Sequence, residues 1–210
     1  MESLSIIIIL ITAYLIGSIP TSVWWGKRYY GIDVREFGSG NAGATNTFRV
    51  LGKRAGIPVL IIDILKGTIA VSLVYFSSYT FDSNQYVNLE LGLGIAALIG
   101  HVFPVFAGFR GGKGVATILG VIVFLTPLTS VFVLSVFLIV LFTTKYVSLS
   151  SMIAGVSFPF FLNVVLKNEN QILLIFSLFA ALLLIATHKK NISRLLKRQE
   201  NQVNLFSKKN

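Results

Sequence analysis

The chain has 210 residues, 54% of them hydrophobic and 12% charged, half the charge of an ordinary soluble domain, so a water-facing surface is hard to build from it. It has no Cys, and its two His and eight acids are spread along the chain, which argues against disulfides, thiolate metal sites, multi-carboxylate metal sites and a cofactor that would need them. The net charge of +10 would suit nucleic acid, but the basic residues flank apolar runs, as the positive-inside rule describes, and no nucleic-acid partner is expected.

In chain order, seven apolar segments read as transmembrane helices, at roughly 4–25, 55–78, 90–107, 114–126, 128–144, 149–166 and 171–187. Some fall short of the roughly 20 residues of a straight crossing. The first is read as a retained helix and not a signal peptide. Its start, Met1-Glu2-Ser3, lacks a positive charge, and Ile19-Pro20-Thr21 stands where a small-residue cleavage site would be. Two short segments are expected to meet at Thr126-Pro127, because proline lacks the N–H that would continue the helix. One kinked helix over 114–144 would be long for a single crossing.

Alternating these seven segments puts 16 of the 18 Lys and Arg on one side, with Lys167 on the other and Lys66 within the second segment. The bias predicts an all-α integral membrane protein with seven transmembrane helices, the N-terminus outside and the C-terminus cytoplasmic. It is expected to be one transmembrane domain over 1–210. No internal repeat of the kind common in transporters stands out.

The inner side also carries the small-residue motifs. Gly38-Ser39-Gly40-Asn41-Ala42-Gly43-Ala44-Thr45-Asn46-Thr47 sits in an expected long inner loop over 26–54, followed by Arg49. Glycines let backbone N–H groups converge on an anion, and the hydroxyls and amides add donors. Arg49 can grip a phosphate bidentately. The plainer alternative is a flexible loop at the membrane surface. Arg110-Gly111-Gly112-Lys113-Gly114 feeds the fourth segment, where backbone amides, a helix N-terminus and the Lys113 charge could face a phosphate. It lacks the spacing of a nucleotide-hydrolysing P-loop; the alternative is a positive-inside anchor.

Asp63 and Lys66, three residues apart in the second segment, share a helix face. Intramembrane charges of this kind are either paired structurally or functional. His101 can bind phosphate, relay a proton, or simply hydrogen-bond and pack. His188, Asn191 and Arg194 fall on one face of a helix continued past the seventh segment, which either closes a site or is an interfacial tail. Ser148, Ser150 and Ser151 can cap the sixth segment or reach the site. Lys197, Arg198, Lys208 and Lys209 read as a contact with anionic headgroups, and Trp24-Trp25 as an interfacial belt.

Together the motifs resemble the bacterial acyl-phosphate:glycerol-3-phosphate acyltransferase (PlsY) family over nearly the whole chain. The resemblance rests on Gly17-Ser18-Ile19-Pro20, the Gly38–Asn46 loop, Asp63-Ile64-Leu65-Lys66-Gly67, Gly100-His101, Phe109 through Thr117, and His188 through Leu196. It implies acyl transfer from acyl phosphate to the 1-hydroxyl of sn-glycerol 3-phosphate, giving lysophosphatidic acid and phosphate, at a cytoplasm-facing site of a multi-pass protein in the bacterial plasma membrane. The partners expected are those two substrates and membrane lipids, and the protein is expected to be a monomer.

By the same resemblance Ser39, Asn41, Lys113, His188 and Asn191 are the expected catalytic residues. Gly38, Gly40, Gly43, Ala44, Thr45, Asn46, Arg49, Lys66, His101, Gly111, Gly112, Gly114, Ser150 and Arg194 are the expected substrate-binding ones. One departure is Arg198, where the family commonly has Gly before the tail acid matched by Glu200. No Ser-His-Asp order or Cys nucleophile stands out, and the family implies that a phosphate oxygen of the donor takes the hydroxyl proton, with His188 and then His101 as alternative bases. The His-x4-Asp motif of acyl-CoA-dependent acyltransferases is absent: the fifth residue after His101 is Phe106, and after His188 it is Ser193. The competing reading is a transporter for an anionic metabolite or lipid. It would need a polar path, of which Asp63 and Lys66 are only a start.

Overall fold

The computed structural model describes residues 2–203; Lys208 and Lys209 of the expected headgroup contact lie outside the described residues. Among these residues every regular element is a helix: α1 (Glu2–Gly17), α2 (Thr21–Tyr30), α3 (Ala44–Leu51), α4 (Lys53–Ser72), α5 (Asn84–Val102), α6 (Val115–Leu125), α7 (Pro127–Thr144), α8 (Val147–Phe160), α9 (Gln171–Thr187) and α10 (Lys189–Leu196). The chain divides into two compact units that meet in sequence at Thr126-Pro127.

In the first unit α4 packs on α6 and α1 on α5, in both cases through glycine. A Cβ on Gly67 would run into the Thr117 carbonyl, and one on Gly120 into the Ile64 carbonyl. The Thr68 hydroxyl then donates to the Gly120 carbonyl at 2.9 Å. Gly17 lies against the Ala97 backbone and Gly100 against the Tyr14 carbonyl. Small residues at crossings are how helices associate where lipid removes the hydrophobic drive.

The outward faces carry the opposite pattern to a soluble protein. Along α4, Ile57, Ile61, Leu65 and Ile69 are exposed at helical spacing, while Val59, Asp63, Lys66 and Ala70 are buried. That stripe would be an aggregation hazard in water and suits lipid. Four helical stretches are long and apolar enough to cross a membrane: Lys53–Phe76, Asn84–Ala107, Pro127–Thr144 and Val147–Val165. Two bent pairs, Ser3–Gly17 with Thr21–Tyr30 and Gln171–Thr187 with Lys189–Leu196, raise this to as many as six.

Three expected elements differ. The first segment is not one helix over 4–25: it breaks at Ser18-Ile19-Pro20 with a 44° bend, because Pro20 cannot continue the hydrogen-bond ladder. The inner loop over 26–54 is largely helical, with α2 running on to Tyr30, a 3-10 turn at Val34–Glu36, and α3. Finally, α9 does not run straight on past His188 but turns by 60° into α10. The break before Pro127 is as expected, with α6 ending at Leu125 and α7 beginning at Pro127.

In the second unit α8 packs between α7 and α9. Phe132 stacks on Phe161 at 5.1 Å, and Phe158 meets Phe176 edge to face at 6.4 Å.

Candidate active site

In the first unit the glycine loop is held from beneath by one buried amide. Asn46 Oδ1 accepts from the Ser39 backbone N–H at 2.8 Å and from the Ser39 hydroxyl at 3.1 Å. Its Nδ2 donates to the carbonyls of Val34 and Phe37 at 2.8 and 3.1 Å. Both amide hydrogens are therefore spent inside the loop. Asn46, expected among the donors to substrate, acts here as a strut. Gly38 and Gly40 bend the chain around it at φ of 62° and 72°, a region costly for other residues, and a Cβ on Gly38 would collide with the Asn46 oxygen. Gly43 precedes α3 with a Cβ position only 2.9 Å from Asn41 Oδ1.

The first turn of α3 closes when Asn46 and Thr47 donate to the Gly43 carbonyl, both at 3.1 Å. The N–H groups of Ala44 and Thr45 lie in that first turn, where a helix leaves its donors without intrahelical acceptors. Thr45 and Arg49 are exposed, while Ala44 and Thr47 are buried. The buried Thr47 hydroxyl turns back to the Gly43 carbonyl at 3.2 Å.

The second glycine motif doubles back along the end of α5. Gly111 N–H donates to the Val102 carbonyl at 3.2 Å, and Gly112 N–H to the His101 carbonyl at 3.1 Å. These two amides were expected to face an anion; they satisfy the carbonyls that a helix leaves open at its C-terminus instead. A Cβ on Gly112 would strike the His101 ring. Gly114 then opens α6 at φ 85°, with the half-buried Lys113 at the N-terminal end of that helix.

A residue that sequence reasoning passed over joins the two motifs. Arg35 grips Asp33 as a fork, Nε to Oδ1 at 3.0 Å and Nη2 to Oδ2 at 2.7 Å. Its Nη1 donates to the Ala107 carbonyl at 2.8 Å, across 72 positions of chain. The guanidinium hydrogen bonds hold the Asp33 carboxyl well below the usual carboxylate range, against the upward push of its partial burial. Arg35 is raised in turn, chiefly by its hydrogen bond to Asp33.

Two expected binding residues are committed elsewhere. Lys66 pairs with Asp63 at 2.9 Å, with both side chains nearly sealed from solvent. Lys66 Nζ also donates to the Ile19 carbonyl at 3.1 Å, and the Thr21 hydroxyl donates to Asp63 at 2.9 Å. The pair thus ties α4 to the α1–α2 break, where the Ile19 carbonyl also accepts from the Thr21 N–H at 3.0 Å. His101 is buried, with Nδ1 at 3.0 Å from the Thr117 hydroxyl, and it ties α5 to α6.

In the second unit the polar residues gather around an acid from the tail. Glu200 Oε1 accepts from the Ser148 hydroxyl at 2.8 Å and from Asn191 Nδ2 at 2.7 Å, and Oε2 accepts from Arg194 Nε at 2.7 Å. Burial pushes this carboxyl up, but the hydrogen bonds from Arg194, Asn191 and Ser148 outweigh it and hold it below its ordinary value. His188 is buried, and its Nδ1 lies 2.7 Å from the Leu184 carbonyl. A carbonyl only accepts, so Nδ1 is assigned the hydrogen. Ser150 and Ser151 turn back onto the carbonyls of Tyr146 and Val147, both at 2.8 Å. Ser148 is the serine of this group that meets Asn191 and Arg194 at a common partner.

Known proteins share this fold. The family model described as glycerol-3-phosphate acyltransferase matches residues 7–198. The chain belongs to the glycerol-3-phosphate acyltransferase family. It is 44% identical to the glycerol-3-phosphate acyltransferase of Chlorobium phaeobacteroides (strain BS1), covering 95% of this chain and 97% of that one. It is 43% identical to that of Enterococcus faecalis, covering 95% and 93%. Among solved structures it matches PlsY (YgiH), an integral membrane glycerol 3-phosphate acyltransferase, in its glycerol 3-phosphate form. The TM-score is 0.85 at 38% identity, over 97% of this chain and 100% of that one. The lysophosphatidic acid form matches with a TM-score of 0.82 at 39% identity, over 95% and 96%. The protein is therefore an integral membrane acyltransferase, and the Asp63–Lys66 pair, closed on itself and on Ile19, offers no polar path for a transporter.

Glu200 is the member of the second cluster that the expected site lacked. Its signal in the sequence was the motif preceding it. Arg198, where the family commonly has Gly, adopts φ 55°, the left-handed turn that brings the tail acid back toward α10.

Proposed function

We propose that this acyltransferase takes a fatty acyl group from acyl phosphate and transfers it to the 1-hydroxyl of sn-glycerol 3-phosphate. The hydroxyl oxygen attacks the acyl carbonyl carbon, the bond from that carbon to the phosphate oxygen breaks, and the hydroxyl proton leaves on the departing phosphate. Lysophosphatidic acid and inorganic phosphate result, as the first step of phospholipid synthesis. The observation that carries this reading is the Arg35 bolt: one partly buried fork holds together two glycine motifs suited to phosphate, one leading to Arg49 and the other to Lys113.

In this reading the Gly38–Thr45 loop, with Ser39, Asn41 and the N-terminal donors of α3, receives the acyl-phosphate headgroup. Arg49 and Lys113 supply charge for the phosphate of glycerol 3-phosphate. Fixed N–H and hydroxyl donors stabilise the oxyanion formed on attack, and because phosphate is a good leaving group, positioning supplies much of the rate. Asn191, Arg194 and Ser148, organised on Glu200, and with them His188, also serve the transfer. Asn46, Lys66, His101, Gly111 and Gly112 support it by fixing the backbone that carries the donors.

We further infer seven crossing segments, with the N-terminus outside and the site facing the cytoplasm of a bacterial plasma membrane. The placement of 16 of 18 cations on one side supports this. The 11-residue α6 is about 16 Å long against a hydrocarbon core of about 30 Å. A helix of that length leaves at least one of its ends inside the hydrocarbon. The family match crosses Thr126-Pro127 without a gap in its range, which supports one working domain over 1–210, acting as a monomer.

The test is to give the detergent-purified protein glycerol 3-phosphate with palmitoyl phosphate, and separately with palmitoyl-CoA. Lysophosphatidic acid from acyl phosphate alone supports the proposal. Product from the CoA ester alone overturns the donor assignment and leaves the acyltransferase standing.

A further inference from the structure

At the end of the first unit away from the glycine motifs, the structure has a second polar cleft that the transfer reaction does not use. It is half open, about 520 Å³ in volume, and lined in part by Tyr75, Phe81, Asp82, Tyr86, Glu90 and Phe124. These come from the 3-10 turn after α4, the following loop, the first two turns of α5 and the last turn of α6. The Gly111–Gly114 turn lies at the opposite end of α5 and α6.

Three observations bear on what it holds. It has two carboxylates, Asp82 and Glu90, and no cation among its lining residues. Neither acid forms a salt bridge among the described residues. Its walls are aromatic: Tyr75 meets Phe124 edge to face at 5.8 Å, and Phe81 meets Tyr86 likewise at 5.3 Å. Finally, Tyr86 is 5% exposed, and its hydroxyl has no hydrogen-bond partner among the described residues. A buried hydroxyl left unsatisfied costs about 1–3 kcal/mol, so such a group marks a place where a ligand atom belongs.

We propose that this cleft binds a primary ammonium group. An ammonium brings three N–H donors, which match the two carboxylates and the Tyr86 oxygen, and its charge is attracted by the faces of the surrounding rings. A divalent metal is a poorer fit. Ca²⁺ takes six to eight oxygen ligands, and no cluster of three metal-ligating side chains occurs among the described residues. An anion is excluded by the two carboxylates. The ammonium can come from a free amine or from an aminolipid headgroup reaching in from the surrounding bilayer.

The proposal is tested on the full chain in nanodiscs of phosphatidylglycerol with and without phosphatidylethanolamine, by native mass spectrometry of retained lipid. Free ethanolamine binding is measured separately by calorimetry. Wild type is compared with Glu90→Gln and Tyr86→Phe. Preferential retention of phosphatidylethanolamine, weakened at least tenfold in Glu90→Gln and several-fold in Tyr86→Phe, supports an aminolipid site. Saturable binding of ethanolamine with the same variant losses, and no lipid preference, supports a free-amine site. Acyl transfer stays at the wild-type level in both variants, which shows that they are folded. Equal retention of both lipids with no ethanolamine binding overturns the proposal. So does binding unchanged in Glu90→Gln, or a cleft that takes manganese(II) and no amine.

Discussion

The polar residues of the first unit and those of the second are held by different physical means. Around the glycine motifs, charge is spent on shaping backbone: Arg35 clasps Asp33 and the Ala107 carbonyl, and Asn46 threads its amide through the Ser39 loop. Around the tail, a single carboxylate gathers side chains: Glu200 takes Ser148, Asn191 and Arg194 on its two oxygens. A backbone-shaped site depends on residues that touch no substrate and on glycines that leave no room for a methyl group. A carboxylate-centred cluster depends on one proton.

The largest effect should come from the cation the first arrangement presents. If the glycine turn exists to place Lys113, Lys113→Ala should lower turnover by about 10²–10³-fold, the range for loss of one preorganised charge or donor. The melting temperature should stay close to wild type. Steady-state kinetics with palmitoyl phosphate measure it, and near-normal turnover would remove Lys113 from the chemistry.

Next is the bolt itself. Arg35→Ala leaves Asp33, 10% exposed, with the backbone N–H of residue 35 at 3.0 Å and the longer contact to Lys27 at 3.4 Å. Losing the fork from a partly buried carboxylate costs about 1–3 kcal/mol. Melting temperature and turnover should both fall, although Arg35 meets no substrate. Asp33→Asn in the same chain should restore much of the stability, because it removes the stranded charge, while turnover stays low. If turnover returned with stability, the tie to Ala107 would not be what holds the two glycine motifs in register.

The extent to which this was readable in the sequence follows the same division. The lipid-facing class, the glycine motifs, the break before Pro127 and the shared face of Asn191 and Arg194 are local patterns of spacing and charge; the continuous helix that would have put His188 on that face is broken by the 60° turn. The job of Arg35 was not legible, because its partner carbonyl lies 72 residues away and a carbonyl leaves no mark in a sequence. Lys66 reads as a substrate ligand for the same reason: its second partner is the Ile19 carbonyl, at the bend before Pro20. Asn46 and Gly112 read as donors because residue type gives donor capacity without saying where it is spent. Their hydrogens go to Val34, Phe37 and His101.

The carboxylate-centred cluster should respond to acid. Glu200 is held below its ordinary value of 4.5, so its folded-state contribution is complete above that value and is lost as pH falls through the lowered one. Wild type should therefore melt progressively earlier on acidification in that window. Glu200→Gln keeps the size but loses the charge, and should cost about 1.5 kcal/mol at neutral pH, with the difference from wild type vanishing in acid. Comparing the two across pH separates Glu200 from Asp33, which is also held down and is common to both. A constant difference at every pH would mean that the cluster is held by shape and not by the carboxylate charge.

The smallest effect concerns how Glu200 reaches its partners at all. Arg198 turns the chain at φ 55°, where a side chain costs about 1–2 kcal/mol. Arg198→Gly removes that strain but gives the unfolded chain more freedom, worth roughly 0.5–1 kcal/mol. The two nearly cancel, leaving a net gain of about 0.5 kcal/mol, a rise of roughly 1–2 °C for a chain of this size. The Arg198 side chain is exposed, so little contact is lost with it. The sharper reading is the coupling to the acid: in a Glu200→Ala background the turn has nothing to deliver, and the gain from Arg198→Gly should shrink toward zero. An equal gain in both backgrounds would show that the strained turn and the carboxylate cluster are independent, and that the tail is placed by α10 alone.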